Sequence, residues 1–348
     1  MLRVGIVGIG FMGWIHWLAY KRVKGVAVKA ICTRSAEKLA GDWTSIRGNF
    51  GPPGEHVSLK GVGAYDELDE FLADEEIDLV DICLPPDQHL SAVQKALAAG
   101  KHVFVEKPLA LSAGDCDKMV KAAEKAKRQL YVGQVLPFFP EYAKALELIQ
   151  SGKYGKLLGG NFLRVISDPL WIKDFFDVKK VGGPLIDLHV HDAHFIRLLF
   201  GMPTALSSVG RLRGETVEYA TTQFEFANPS LVVTATSGVI AQQGRPFTHG
   251  FEIHLEKGTL FFESAFIGGE GKVFKPLTLL DSKGNVKPIP MGKAGDDVTA
   301  FEAEIKEVMS SLKKNAPSKL LGADLARDAI ILCQKQADSV KGRKKVKI

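Results

Sequence analysis

Across the first 137 residues, apolar positions come in short, nearly unbroken runs, and the stretches between them have helical spacing. RVGIVGIG, VAVKAICTR, IDLVDICLPP, HVFVEKP and QLYVGQVLP read as strands buried on both faces. Residues 14–22, SAEKLAGDW, residues 91–99 and LSAGDCDKMVKAAEKAKR read as helices. Ser35 is an expected N-cap, and Ser112 with Asp115 forms a capping-box pattern. GNFGPPGEHVSLKG is a glycine- and proline-rich loop. Strands alternating with helices predict a parallel sheet covered on both faces. Near Pro137 the pattern changes to alternation, clearest in YATTQFEF. GGNFLRVIS, ALSSVGRLR, VEYATTQFEFA, SLVVTATSGVI and FEIHLEKGTLFFE predict an antiparallel sheet with one packed face, its neighbours joined by turns such as NPS and EKG. Two helices, at roughly 298–314 and 323–340, close the chain, and Val346 and Ile348 read as an edge strand.

The length of 348 residues suggests two domains, 1–134 and 135–348, with the last helix free to pack back on the first domain. A content of 46% hydrophobic and 24% charged residues is ordinary for a soluble globular protein. The net charge of +5 comes from Lys341, Arg343, Lys344, Lys345 and Lys347 in the last eight residues, where there is no acid. The body is therefore balanced, which argues against a nucleic-acid partner. Of Cys32, Cys83, Cys116 and Cys333, no two form a CxxC, and three read as reduced core residues of a cytoplasmic protein. No apolar run reaches membrane-spanning length, so no membrane partner is expected. The opening MLRVGIVGIGFMG reads as a first buried strand, because glycines interrupt it too early for a signal peptide.

Gly8, Gly10 and Gly13 stand in GxGxxG order between a strand and a helix. Gly8 permits the tight turn, Gly10 lets the backbone approach a pyrophosphate, and Gly13 lets the helix pack close to the strand. With Phe11 and Met12 they form the candidate dinucleotide loop; the alternative is a tight turn without a ligand. About 20 residues after the last glycine, where an acid would hold the ribose hydroxyls, stand Thr33, Arg34 and Ser35. A hydroxyl plus a guanidinium suits a 2′-phosphate, so NADP is favoured over NAD, unless Arg34 is only a surface residue stacked on adenine.

Glu106-Lys107-Pro108 ends a parallel strand at the edge where doubly wound sheets bind ligands. Together with GIGFMG, CLPPDQH, AGKHVFVEKPLALS, SGKYGKLLGG, GGPLIDLHVHD and EKGTLFF, in that order over nearly the whole chain, this resembles the glucose–fructose oxidoreductase / inositol dehydrogenase (Gfo/Idh/MocA) family. The resemblance implies the α/β class: an N-terminal Rossmann doubly wound parallel sheet plus a C-terminal α/β domain with a large, mostly antiparallel open sheet. It implies NAD or NADP as cofactor, Lys107 as main catalytic residue, and a cis bond before Pro108. It adds Leu84, Pro85, His89 and Glu106 to the cofactor-binding residues. It also implies Asp187 and His191 as the second catalytic motif, followed by Asp192 as a candidate substrate contact, a polyol or carbohydrate substrate, and a homodimer or homotetramer paired through the open sheet. Pro137 stands where the family commonly has an arginine; Trp171 and Lys173 are candidates to compensate at the substrate, the alternatives being a core tryptophan and a surface lysine.

Three histidines and two aspartates crowd into residues 187–194. If Pro184 opens a helix, Asp187, His191 and His194 share one face, while His189 points about 200° and Asp192 about 140° away from Asp187. A zinc site on the shared face is the lesser reading, since hydride transfer with a lysine needs no metal, and none is expected. The stronger reading makes His191 the base for a hydroxyl proton, Lys107 the stabiliser of developing alkoxide charge, and Asp187 a positioning group. His189 and His194 read as structural. The expected activity is NAD(P)-dependent oxidation or reduction of a carbinol carbon. The alternatives are a redox-neutral glycoside-cleaving enzyme and a non-catalytic dinucleotide-sensing module.

Overall fold

The computed structural model describes residues 1–170, 172, 174–291 and 295–348. Contacts divide the chain into two compact units, Met1–Phe138 with Ala294–Arg327, and Phe139–Lys293 with Asp328–Ile348. In chain order the elements of the first unit are β1 (Leu2–Val7), α1 (Phe11–Arg22), β2 (Val26–Cys32), α2 (Ala36–Leu39), β3 (Gly63–Tyr65), α3 (Leu68–Ala73), β4 (Leu79–Ile82), α4 (His89–Ala98), β5 (His102–Glu106), α5 (Ala113–Ala126) and β6 (Leu130–Gly133). There follow α6 (Pro140–Gln150), β7 (Leu157–Ser167), α7 (Val190–Phe200), β8 (Ala205–Arg213), β9 (Thr216–Glu225), β10 (Val232–Ile240), β11 (Phe247–Leu255), β12 (Gly258–Ile267), β13 (Glu270–Asp281) and β14 (Val286–Pro288). Helices α8 (Thr299–Lys314) and α9 (Ala323–Gly342) and strand β15 (Val346–Lys347) complete the chain.

All strands of the first unit run parallel, in the order β3-β2-β1-β4-β5-β6. The order reverses between β1 and β4, which opens a crevice at their carboxyl ends. Every residue of β4 is buried, which explains why these strands read as apolar runs. Helix α1 is buried nearly all round, because α8 packs on the side turned from the sheet. The loop after α2 is anchored by tryptophan: Trp14 donates to the Pro52 carbonyl (2.9 Å) and Trp43 to that of Lys38 (2.8 Å). Short β3 and α3 were not anticipated from the pattern.

Among the described residues the second unit holds nine strands in the order β14-β13-β12-β11-β7-β10-β9-β8-β15. Every pairing is antiparallel except β10 with β7, so the sheet is mixed but mostly antiparallel. Phe162, Ala235 and Phe224 face the core, while Asn161, Thr234, Thr221 and Thr236 alternate outward and bond in pairs across strands. The C-terminal residues form the expected edge strand, β15 on β8. The fold is therefore α/β, a Rossmann-type parallel sheet plus a large open sheet. No helix among the described residues is long and apolar enough to cross a membrane.

Candidate active site

The β1–α1 turn has the form its glycines suggest. Gly8 has φ +93°, and a Cβ there would lie 2.7 Å from the Cys83 carbonyl oxygen. A Cβ on Gly13 would lie 2.2 Å from the Gly8 oxygen, whereas one on Gly10 would meet nothing within 4 Å. Gly10 thus faces open space at the start of α1, whose first turn has no side-chain cap and no acid. Backbone N–H groups with an open approach and no competing carboxylate fit a dinucleotide pyrophosphate. Phe11 and Met12 are half-buried, and the Phe11 ring packs edge-on against Phe50 at 4.7 Å.

At the end of β2, Arg34 is exposed, while Ser35 caps α2 and donates its hydroxyl to Glu37 (2.7 Å). Lys38, which sequence reasoning did not single out, reaches back to the Ile9 carbonyl (2.7 Å) and puts a second cation beside the glycine turn. Its position three residues beyond the Ser35 cap is the signal that could have found it. Past β4, Leu84 lines the turn near Gly8, and Pro85 is exposed. His89 is fully buried, with its ring nitrogens 2.8 Å from the Leu84 carbonyl and 2.9 Å from that of Pro108. Burial holds its pKa below the ordinary histidine value, so one nitrogen donates at a time. His89 is thus placed to tie two loops together from inside the unit.

The Lys107–Pro108 bond is cis, and Lys107 is half-buried at the carboxyl end of β5. Glu106 is buried, and one of its oxygens accepts the Lys107 backbone N–H at 3.0 Å. Its other oxygen lies 3.0 Å from Nε2 of His16, whose Nδ1 is 2.8 Å from Asp81. The carboxylate expected to face cofactor is turned inward. His16, Asp81 and Cys83 are also the one group among the described residues with metal-ligand spacing, and it includes none of residues 187–194. Gln134, just past β6, is fully buried with neither amide atom bonded among the described residues. An amide at the end of a predicted parallel strand could have flagged it.

In the second unit the segment at 182–201 is not one regular helix. Residues 185–189 form a π-helical turn that leads into α7. The 100° wheel therefore does not hold through Asp187, because a π turn takes more residues than an α turn. Asp187 lies in the π turn and His191 near the start of α7, both half-buried, and His194 is fully buried. His189 is buried and accepts from the Gln336 amide (3.0 Å); burial pushes its pKa down to about 4. Asp192 is 1% exposed, and its two oxygens take the buried Arg164 guanidinium at 2.6 and 3.1 Å. Its carboxylate holds β7 to α7 instead of facing a ligand, which corrects the expected substrate contact. Pro137 is buried in a single 3₁₀ turn, Leu136–Phe138. Trp171 and Lys173 lie outside the described residues.

Comparison with known proteins adds to this geometry. Myo-inositol 2-dehydrogenase of Thermotoga maritima is 28% identical over 201 residues, covering 58% of this chain and 55% of the relative. Inositol 2-dehydrogenase of Rhizobium meliloti is 26% identical over 279 residues, 76% of each protein. A glycosyl hydrolase family 109 protein of Shewanella sp. is 29% identical over 167 residues, 46% of this chain and 34% of the relative. The chain spans about half the length of several curated relatives it matches. Levoglucosan dehydrogenase in complex with NADH and levoglucosan superimposes with a TM-score of 0.79 at 20% identity, over 100% of this chain and 99% of that one. Aldose–aldose oxidoreductase from Caulobacter crescentus does so with a TM-score of 0.76 at 19% identity and the same coverage. These two show likeness of fold. Residues 2–134 match the model of an oxidoreductase family with an NAD-binding Rossmann fold, residues 142–261 match the Gfo/Idh/MocA C-terminal domain, and on both the chain belongs to the Gfo/Idh/MocA family.

Proposed function

We propose that the protein is an NAD(P)-dependent oxidoreductase that moves a hydride between nicotinamide and a carbinol carbon of a sugar, inositol or related polyol. The observation that carries this reading is the carboxyl edge of the parallel sheet. There the glycine turn of β1 and Lys107 of β5 flank β4, beside the point where strand order reverses. When bound, the nicotinamide supplies the hydride acceptor. Lys107 hydrogen-bonds the reacting oxygen and stabilises alkoxide charge, His191 takes the hydroxyl proton, and Asp187 orients the substrate or the imidazole. Inositol dehydrogenases among the relatives support this substrate class. Arg34 and Lys38 favour NADP over NAD, with Glu37 as the opposing charge. The exposed apolar Val209 and Val232, set among threonines on the open sheet, support a homodimer or homotetramer, which light scattering reads directly.

The test is a screen of inositols, aldoses and anhydrosugars for a change in nicotinamide absorbance, run with both cofactors. Turnover is expected with at least one polyol. With it, His191→Ala lowers kcat by about 10²–10⁴-fold while dinucleotide binding persists. An unchanged rate in that variant moves the base elsewhere, and no turnover across the screen removes the dehydrogenase reading. The glycosyl hydrolase family 109 relatives favour one second reading, transient oxidation during glycoside cleavage. Aryl glycoside cleavage without net cofactor reduction would select it.

A further inference from the structure

A buried polar cluster of the first unit adjoins the Lys107 turn through Glu106. His16, on α1, is fully buried, and its ring stacks on Phe104 of β5 at 5.4 Å and 8°. Nδ1 is 2.8 Å from Asp81 of β4, and Nε2 is 3.0 Å from Glu106 of β5. The second contact lies off the line of the ring N–H and acts as a charge contact rather than an aligned hydrogen bond. Cys83, just past β4, approaches Nδ1 at 3.6 Å; Tyr20 of α1 and Glu304 of α8 complete the titratable groups around the ring. Asp81 and Glu106 are 0% and 6% exposed, so a neutral ring would leave two desolvated carboxylates with no cation between them.

Two readings compete for this cluster. The His16, Asp81 and Cys83 ligand atoms lie within 4.8 Å of one another, as a metal site needs. Yet Nδ1 and the Asp81 oxygen, 2.8 Å apart, are at hydrogen-bond distance. Two ligands on a tetrahedral zinc at about 2.1 Å would stand about 3.4 Å apart. The contact geometry is that of a charged donor on a carboxylate.

We propose that His16 is a permanently protonated positioning residue, clamped between Asp81 and Glu106, that holds the Glu106 carboxylate where it receives the Lys107 N–H and so fixes the turn carrying Lys107. The inference rests on the proposed role of Lys107 for its functional meaning, though not for its structure. Burial alone would lower the His16 pKa, but the charge of Asp81, then Cys83, and the hydrogen bonds to both together prevail and hold it well above the ordinary histidine range. No atom of His16 needs to meet the substrate.

The test uses the full chain and begins without substrate. In ¹⁵N-histidine NMR of the wild type, one histidine absent from the His16→Gln spectrum is expected to keep protons on both ring nitrogens from mildly acidic to mildly alkaline pH. A neutral single tautomer for that residue overturns the proposal. Acylation of lysines by limiting acetic anhydride, read by mass spectrometry, is expected to change severalfold at Lys107 in His16→Gln and to stay constant at exposed Lys257, with NADPH affinity retained. Unchanged Lys107 labelling in the folded variant overturns the positioning role. If His16→Gln does not fold, Glu106→Gln, which keeps the shape and removes the charge, is read by the same labelling with the same two outcomes. On a polyol found by the screen, kcat is expected to fall about ten-fold or more with KM for the oxidised dinucleotide unchanged. Full turnover by Lys107→Met would refute the role assigned to Lys107, while the NMR and labelling results would still decide that of His16.

Discussion

At the scale of single residues, burial decides which groups carry charge. Glu304 is fully buried, and neither of its oxygens has a hydrogen-bond partner among the described residues. Burial, reinforced by the nearby Glu106 charge, raises its pKa well above the ordinary carboxylate range. A raised folded-state pKa gives stability that is complete below the unfolded value and is lost as pH rises through the folded one, about 1.4 kcal/mol per unit of difference. Glu304→Gln, which mimics the neutral acid, is therefore expected to raise the melting temperature at pH 8 and to have little effect at pH 4. Equal effects at both would show that Glu304 is ionised in the fold. His189 and His249 show the opposite sign. Burial lowers their pKa values to about 4 and about 3, so they contribute stability near neutrality that fades as pH falls below the unfolded value. For His189 the loss by pH 4 is about 3 kcal/mol, and His189→Gln should flatten the acid limb of the melting curve.

At the scale of elements, the β1–α1 turn and the β7–α7 tie depend on single contacts. Gly13→Ala places a methyl on the Gly8 carbonyl oxygen, so α1 must shift from β1. Loss of nicotinamide dinucleotide binding by calorimetry, run with both NADH and NADPH, is expected, with a lowered melting temperature; wild-type affinity would refute the close-packing role. Asp192→Asn leaves buried Arg164 without its counter-charge and is expected to cost about 3–5 kcal/mol in urea denaturation. If that variant is as stable as the wild type, the ion pair is not what seats the segment carrying His191. The strands of the first unit other than β3 were legible because burial writes them as apolar runs, whereas β3 is three residues long with none fully buried. β13 was not, since its first seven residues are exposed and show no alternation. The π turn was equally hidden, because an extra residue in a turn changes which residues share a face without changing composition.

At the scale of the whole molecule, the basic tail does more than solubilise. β15 pairs with β8, the Ile348 N–H bonds the Thr204 carbonyl at 3.1 Å, and Lys345 pairs with Glu225. The last residues thus cover what would otherwise be an open strand edge. Removing residues 345–348 is expected to leave the fold largely intact while increasing concentration-dependent association, read by light scattering. No added association would mean that β8 needs no cover.

The amino-acid sequence by itself determined most of the element types, the glycine turn, the position of Lys107 at a strand end and the two kinds of sheet, because each is written in local periodicity or in residues a few positions apart. Tertiary structure alone decided that Asp192 belongs to Arg164, that β10 runs parallel to β7, and that His16 stands between Asp81 and Glu106. The partners in each case lie tens of residues apart. The charged groups are joined because burial is costly without a counter-charge, and the two strands by backbone hydrogen bonds; both depend on who arrives there together and leave no periodic trace along the chain.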